Sequence, residues 1–352
     1  MQPGQLLRPL KYLVATYLTY AVVRHTAPRT FSTFSTSTSS AMPRGSVVCI
    51  SHGGGKFKTL SPLSSLPVLL STQKLYFHPL TPPGPLPVLG DPSHKSIVSS
   101  LTTRVPKLLR LGTDEAPRAI VVVTAHWSQR NPTISSASQH RLYYDYGGFP
   151  PESYRLKYDA PGSPDVAQEV KSALEKEGLT PVLDDERGWD HGVFIPFLLI
   201  NPKADIPIVQ LSVLASESPE EHHKMGRALG RLRDSNVAIV GSGFASFHNL
   251  AEMMPLFSGD PVRTSRVARK VAEFSGALTP AVETEGSEER AARLARWREF
   301  PHSYEMHPRG GGEHFMPLLV SAGAGGDEVA GKYKDEFLGV DIWTYYWSDV
   351  KL

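Results

Sequence analysis

The stretch AIVVVTAHW, residues 119–127, decides the fold. It begins with a run of apolar and β-branched residues, Ala119–Thr124, in which buried and exposed positions do not alternate. Such a run is typical of a strand that is buried on both faces of a parallel sheet. His126 follows the run at the point where the strand is expected to end. The stretch therefore predicts a central parallel strand with an imidazole at its carboxyl end.

Further runs and periodic segments surround this strand. The other buried strands are predicted over Val47–Ile50, Ile206–Val213 and Val237–Val240, and Gly339–Trp347 alternates enough for a closing strand. Amphipathic helices are predicted over Pro164–Lys176, Ser218–Arg233, Val262–Ala277, Ser287–Arg298 and Glu313–Ala322. Loops are expected over Ser71–Ser93 and Leu278–Glu289. Strands that alternate with helices predict an α/β fold with a mainly parallel central sheet flanked by helices.

Length and composition fit one globular catalytic domain, which we place at residues 45–352. The chain has 352 residues, of which 40% are hydrophobic and 20% are charged. Its formal net charge of +2 is too small to predict a nucleic-acid partner. The single cysteine, Cys49, excludes an internal disulfide framework and a cysteine-based zinc cage, and we expect it to be a small buried strand residue. Any metal must therefore be held by histidine and carboxylate.

Residues 1–44 differ from the rest of the chain. No Asp or Glu occurs before Asp91, whereas this segment carries five basic residues. Its apolar stretch, Tyr12–Val23, is too short to span a bilayer, which needs about 20 apolar residues. The segment is typical of a mitochondrial transit peptide, with a disordered or anchoring extension as the alternative. Translation from Met42 would instead give a cytosolic protein, so we predict a mitochondrial or cytoplasmic location and no stable membrane span.

Four histidines each end an apolar run at a Gly-rich or turn-like break: His52, His126, His248 and His314, with His191 in a similar break. Open α/β sheets bind ligands outside the carboxyl ends of their strands, and clustered neutral imidazoles suit a divalent metal. One such histidine alone is usually only a polar residue that meets solvent, but several strand ends together predict one dispersed metal site. The other eight are predicted to be solvated or structural: His25, His78, His94, His140, His222, His223, His302 and His307.

Several residues near these histidines allow two interpretations. Trp127 is suited to stacking on an aromatic ring or to plain core packing. Asp190 is suited to orienting an imidazole or to a turn. The aromatic run over 143–149 is either a loop near the site or a structural one. Gly241 and Gly243 are predicted to form a tight turn rather than a phosphate-binding loop, because no Lys or dinucleotide fingerprint accompanies them.

Six motifs occur in a characteristic order: SHGGG (51–55), VVVTAHW (121–127), DYGGFPPESYRLKYDAPGSP (145–164), GWDHGVFIPFLLINPKADIPIVQLSV (188–213), GSGFASFHNL (241–250) and EHFMPLLVSAGA (313–324). Together they resemble the class III extradiol ring-cleavage dioxygenases, and within them the branch of the DOPA extradiol dioxygenases. The resemblance runs from about Val47 to the last residue. Residues 1–44 lie outside it, and the Pro-rich loop and residues 257–312 match poorly.

The resemblance implies metal ligands at His52, His126 and His314. His248 matches a histidine that belongs to the metal site in the DOPA-like branch and acts as acid and base in related enzymes, and His191 matches one that lines the pocket. One divalent metal is implied, Fe²⁺ for catalysis or Zn²⁺ as in the DOPA-like branch. The sequence departs from the family by reading HGGGK where Ser-Pro or Ala-Pro usually follows the first motif. Many members use two His and one Glu, which leaves Glu313 or His314 as third ligand, and the branch pattern favours His314.

The resemblance thus implies an enzyme that opens a catechol ring beside its hydroxyls with O₂, acting on a small aromatic diol as a monomer or small homo-oligomer. His248 is predicted to take the second proton of the diol, and His191 to stabilise charge on the bound oxygen. Two other hypotheses remain open. One is a zinc-dependent hydrolase with His191 or His248 as base. The other is a non-catalytic scaffold that keeps a structural or vestigial metal site.

Overall fold

Eight strands form one sheet in the structure, a computed structural model that describes residues 42–53 and 84–352. In chain order the strands are β1 (Val47–Ser51), β2 (Ala119–Gln129), β3 (Thr133–Ser135), β4 (Val182–Asp184), β5 (Ile208–Leu214), β6 (Val237–Gly243), β7 (Gly331–Phe337) and β8 (Val340–Trp347). Their spatial order is β4-β3-β5-β2-β6-β1-β8-β7. The predictions for residues 1–41 and for the Pro-rich stretch before residue 84 lie outside the described residues.

The four central strands, β5, β2, β6 and β1, are all parallel to one another. β8 runs antiparallel to β1, and β7 runs antiparallel to β8. On the other side, β3 meets β5 antiparallel and β4 parallel. The predicted mainly parallel sheet is therefore confirmed, and so are its four buried strands and the closing strand. The sequence did not indicate β3 and β4, which have three residues each, or β7, whose residues GKYKDEF are mostly polar.

Helices cover the sheet. The described residues form α1 (Lys95–Leu108), α2 (Pro164–Lys176), α3 (His191–Ile200), α4 (Pro219–Gly230), α5 (Leu250–Met253), α6 (Pro261–Val282), α7 (Ser287–Ala295), α8 (Ser303–Met306) and α9 (Met316–Ala324). Short 3₁₀ turns occur at Leu86–Leu89, Pro92–His94, Pro151–Arg155, Arg231–Ser235, Met254–Ser258 and Trp297–Glu299. α2 has the predicted bounds, since Ser163 caps it by accepting a hydrogen bond from the amide of Val166.

Several predicted boundaries were wrong: β2 continues past Thr124 to Gln129, and the helices predicted to end at Arg233 and Arg298 end at Gly230 and Ala295. Two further differences bear on the core and the site. The loop expected from Leu278 begins later, because α6 continues to Val282 with Leu278 and Val282 buried on the same face as Val271 and Phe274. α9 begins at Met316 rather than at Glu313, so His314 lies in the turn that leads into the helix.

Two helices lie on opposite faces of β6 and position the site. Neighbouring strand residues point to opposite faces. Ser242 Oγ donates a hydrogen bond to Gly192 O in α3, whereas a Cβ on Gly241 would lie 2.4 Å from Ser321 Oγ in α9. α3 therefore packs on one face of β6 and α9 on the other.

The tight turn predicted at Gly241–Gly243 is absent, because these residues belong to β6. A Cβ on Gly243 would lie 2.4 Å from the carbonyl oxygen of His314. Real side chains do not approach backbone so closely, so glycine is required where the turn before α9 meets the strand. The glycines therefore serve close packing, and they place His314 directly against the end of β6.

The four parallel strands are buried along almost their whole length, and Cys49 is among the buried residues as predicted. This burial explains why their sequences show continuous apolar runs. Within residues 42–53 and 84–352, no helix is long and apolar enough to cross a membrane.

Candidate metal centre

Three imidazoles from distant parts of the chain meet at one edge of the sheet. His52 directly follows β1, His126 lies near the end of β2, and His314 precedes α9. The Nε2 atom of His126 lies 3.0 Å from Nε2 of His52 and 3.3 Å from Nε2 of His314. The topology explains why the three residues meet. β1 and β2 flank β6 in parallel, which brings His52 and His126 to the same edge. Phe244 N, just after β6, donates to His314 O at 2.9 Å, which holds His314 at that edge.

The outer nitrogens of these rings reveal their tautomers. His52 Nδ1 lies 3.1 Å from Ser242 Oγ, whose own proton is donated to Gly192 O, so the hydroxyl accepts from Nδ1–H. His314 Nδ1 donates to Glu313 Oε1 at 2.8 Å. His126 Nδ1 faces Asp145 Oδ2 at a longer 3.5 Å. From these partners we infer that each ring carries its proton on Nδ1 and turns the lone pair of Nε2 toward the other two.

This donor set fits one divalent cation. Three lone pairs that face one another repel unless a positive charge lies between them. Two nitrogens that bind one Zn²⁺ tetrahedrally at about 2.0–2.1 Å lie about 3.3 Å apart, close to the Nε2 separations found here. Burial, and then the neighbouring imidazoles, hold the pKa of His52, His126 and His314 well below the usual histidine value. The rings therefore stay neutral and available as ligands near neutral pH.

His191 is the first residue of α3 and lies against one side of this cluster. Its ring centroid is 3.8 Å from that of His126. Asp145 Oδ1 accepts hydrogen bonds from His191 Nδ1 at 2.7 Å and from its backbone amide at 3.0 Å. His191 Nε2 is buried and has no hydrogen-bond partner among the described residues. This nitrogen is thus left free to contact a bound molecule.

His248 lies beside His314 in the same cluster. Its ring stacks on that of His314 with centroids 3.4 Å apart and planes 11° apart. Its backbone amide donates to Met306 O at 2.9 Å, and its buried Nε2 has no partner in the described part of the chain. Burial, and then the charge of His191, lower its pKa to about 3. The structure brings His52, His126 and His314 together directly, whereas His248 joins a group with Glu313 and His314.

The neighbouring residues can now be placed. Asp190 caps α3 by accepting from the amide of Gly192 and from Thr124 Oγ1, so it has the role of a turn residue. Trp127 is buried, and the guanidinium of Arg187 lies 4.7 Å from its ring centroid. Trp127 therefore packs in the core.

Asp145 is the site residue that sequence reasoning missed. It lies in the aromatic run over 143–149 and contacts His191, which is 46 residues away in sequence. No local pattern predicts such a contact. Of the eight other histidines, those buried in the described chain have structural positions: His94, His222, His223 and His307.

Comparison with known proteins agrees with the resemblance seen in the sequence. Residues 81–346 match the family described as the catalytic LigB subunit of aromatic ring-opening dioxygenase. A protein called dioxygenase tasH, from Hapsidospora irregularis, is 55% identical over 276 residues, which cover 76% of this chain and 84% of the relative. A 4,5-DOPA dioxygenase extradiol from Beta vulgaris is 37% identical over 212 residues, 60% of this chain and 74% of the relative.

A solved structure is also similar. The crystal structure of an uncharacterized protein, JW3007, from Escherichia coli K12 superposes with a TM-score of 0.58 at 26% identity, over 86% of this chain and 99% of that protein. The fold, the family match and the relatives agree with one another. The chain therefore belongs to the LigB family of aromatic ring-opening dioxygenases.

Proposed function

We propose that this protein is a metal-dependent dioxygenase that opens the ring of a small aromatic diol beside its hydroxyls. The observation that carries the proposal is the cluster of five imidazoles: three whose Nε2 atoms converge, and two flanking ones whose buried Nε2 atoms have no partner in the described chain. A triad of protein ligands leaves coordination positions free for a diol and dioxygen. The unpaired flanking nitrogens supply the polar contacts that a bound diol needs.

His52, His126 and His314 would hold the metal, for which we propose Fe²⁺, with Zn²⁺ as the other candidate. When bound, the metal lowers the pKa of the diol hydroxyls and offers dioxygen a coordination position. The ring bond between a hydroxylated carbon and its unhydroxylated neighbour is cleaved. One atom of O₂ is added to each of these two carbons. The product is therefore a semialdehyde that also carries a carboxylate.

The two flanking histidines, His191 and His248, have different proposed roles. The sequence predicts His248 as proton acceptor and His191 as charge stabiliser. Among the described residues, however, His191 and not His248 donates a hydrogen bond to a carboxylate, and that contact orients the ring and leaves Nε2 as its acceptor. We therefore propose His191 Nε2 as the acceptor of the second diol proton, and His248 Nε2 as a hydrogen-bond partner of the bound oxygen.

The experiment that tests the proposal begins with protein reconstituted anaerobically with Fe²⁺. DOPA and simple catechols are then added under air, while visible absorbance and oxygen are recorded. A yellow semialdehyde formed with one O₂ per diol supports the proposal. Ester or amide hydrolysis with zinc and no colour with any catechol would favour the hydrolase hypothesis, and retained metal with neither activity would favour a scaffold.

Two variants separate the roles of the flanking histidines. Loss of a general base typically costs about 10²–10⁴ in rate. His191→Gln should lose about that much in kcat, and His248→Gln should lose less. The opposite order would assign the proton to His248, as the sequence predicts.

A further inference from the structure

Asp145 is held between two anchored tyrosines on the loop that follows β3. Tyr144 Oη donates to Leu156 O at 2.7 Å, and Tyr146 Oη donates to Ser153 O at 2.7 Å, so both hydroxyls are used within the loop. Tyr143 N donates to Trp189 O at 2.7 Å, which fastens the loop to the segment that enters α3. The backbone at residue 145 is therefore fixed from both sides.

The carboxylate of Asp145 spans two histidines of the site. Oδ1 accepts from Nδ1 and from the backbone amide of His191, and Oδ2 lies 3.5 Å from Nδ1 of His126. The side chain is only 11% exposed, so water weakens these contacts little. One largely buried carboxylate thus lies against both a proposed metal ligand and the proposed proton acceptor.

The nearby carboxylate of Asp190 does not duplicate this role. Its Oδ1 accepts from Thr124 Oγ1 and Gly192 N, and its Oδ2 lies 3.3 Å from Nη2 of Arg187. These partners lie in β2, in the first turn of α3 and in the segment before α3, and none of them is an imidazole. Within the described residues, the charge that orients His191 therefore comes from Asp145.

We propose that Asp145 is a positioning residue that holds the protons of both His191 and His126 on Nδ1 and so leaves both Nε2 lone pairs free at the metal centre. The inference rests on the proposed function and deepens it, because it links metal binding and proton transfer through one side chain. Carboxylates that hold ligand imidazoles typically change metal affinity about 10–100-fold when they are replaced.

Asp145→Asn is the decisive variant because it keeps the size of the side chain and removes its charge. The amide offers one acceptor and one donor, so one of the two histidines must face an N–H group and lose its Nδ1–H contact. We expect Co²⁺ and Zn²⁺ titrations of metal-free protein to show about 10–100-fold weaker binding and an altered Co²⁺ visible spectrum. With DOPA or catechol, kcat should fall at least about tenfold while KM changes little.

Tyr146→Phe is the matched control, since it removes the loop contact to Ser153 O and leaves the carboxylate in place. It should bind Co²⁺ like the parent protein. Unchanged metal affinity and kcat in Asp145→Asn would overturn the proposal, and so would equal losses in Tyr146→Phe, which would assign the effect to the loop. If the parent protein opens no diol ring, the proposed function fails, while the Co²⁺ titrations still decide the role of Asp145 toward His126.

Discussion

At the scale of single residues, Glu313 and His314 have different relations to the centre. His314 turns Nε2 toward His126 and Nδ1 toward Glu313 Oε1. Burial raises the pKa of the Glu313 carboxyl, which is about one-third exposed. This arrangement is that of a carboxylate that supports a ligand imidazole from behind. It favours His314 over Glu313 as the third ligand.

We expect substitutions of His314 and of Glu313 to have different effects on metal binding. His314→Ala should lose bound metal after dialysis, since it removes one of three converging nitrogens. Glu313→Gln keeps an acceptor for Nδ1 and should retain metal, with affinity lowered by no more than about tenfold. Metal content is measured by atomic absorption on the purified proteins. Metal lost from Glu313→Gln but kept by His314→Ala would make the carboxylate the ligand.

The sequence predicted that histidines at strand ends meet at one edge of the sheet, and His52 and His126 do so. His52 and His126 lie at the carboxyl ends of two runs, on either side of β6, that could be predicted from their β-branched residues alone. Asp145 could not be predicted, because its partners come from β2 and α3 and its own segment has no regular structure. The stacking of His248 on His314 likewise depends on how two loops meet in space.

At the scale of elements, the contact between β6 and α9 decides where His314 lies. Gly241 and Gly243 leave room for Pro317 and Ser321 of α9 and for the backbone of His314. In sequence these glycines indicated a turn, because glycine in turns and glycine at close contacts look alike. Only the packed helix distinguishes the two. The sequence did not predict α3. This helix is apolar on all sides and contains Pro196, so its sequence has no helical periodicity.

Gly243→Ala should therefore disturb the centre through packing alone. Its Cβ would lie 2.4 Å from His314 O and 3.1 Å from Pro317 Cγ, and overpacking of this kind costs about 1–3 kcal/mol. We expect a lower free energy of unfolding in urea and weaker metal binding. The control is Gly276→Ala in α6, where a Cβ meets nothing, and it should gain up to about 1 kcal/mol. Normal metal affinity in Gly243→Ala would show that His314 tolerates displacement.

The contact between α4 and β5 predicts that the stability of the protein falls in acid. His222 joins α4 to β5, because its Nε2 accepts from Leu214 N at 3.0 Å and its Nδ1 donates to Ser218 O at 2.7 Å. Burial lowers its pKa to about 4, below the usual value of 6.5. A lowered folded-state pKa means that the stabilisation is present above pH 6.5 and is lost as the pH falls toward 4. The loss amounts to about 3 kcal/mol.

The check on this prediction is the pH dependence of unfolding in urea between pH 7 and pH 4.5. His222→Gln, which does not titrate, should lose less stability over this interval than the parent protein does. The same substitution at His302 provides contrast, because the hydrogen bonds that His302 donates to Glu305 and Glu273 raise its pKa and so give an effect of opposite sign. A parallel pH profile for His222→Gln and the parent would exclude His222 as the source.

At the scale of the whole molecule, the centre joins three segments that are far apart in the chain. An ion bound there stabilises the native state and not the unfolded chain, which cannot gather the three rings. At a free metal concentration of 100 times Kd the gain is about 2.7 kcal/mol. Zn²⁺ should therefore raise Tm by several degrees and a chelator should reverse the rise. His52→Ala should show neither change, and an equal response in that variant would place the bound ion elsewhere.

The position of β1 also sets an order of events in the cell. Its neighbours are β6 and β8, and Val47 is paired with Trp347 across 300 residues of chain. When β1 and His52 leave the ribosome, most of the chain has still to be synthesised. β1 can pair with both β6 and β8 only when synthesis is almost complete. The nascent chain therefore lacks a complete set of ligands, and we expect a metal ion to bind only after synthesis has ended.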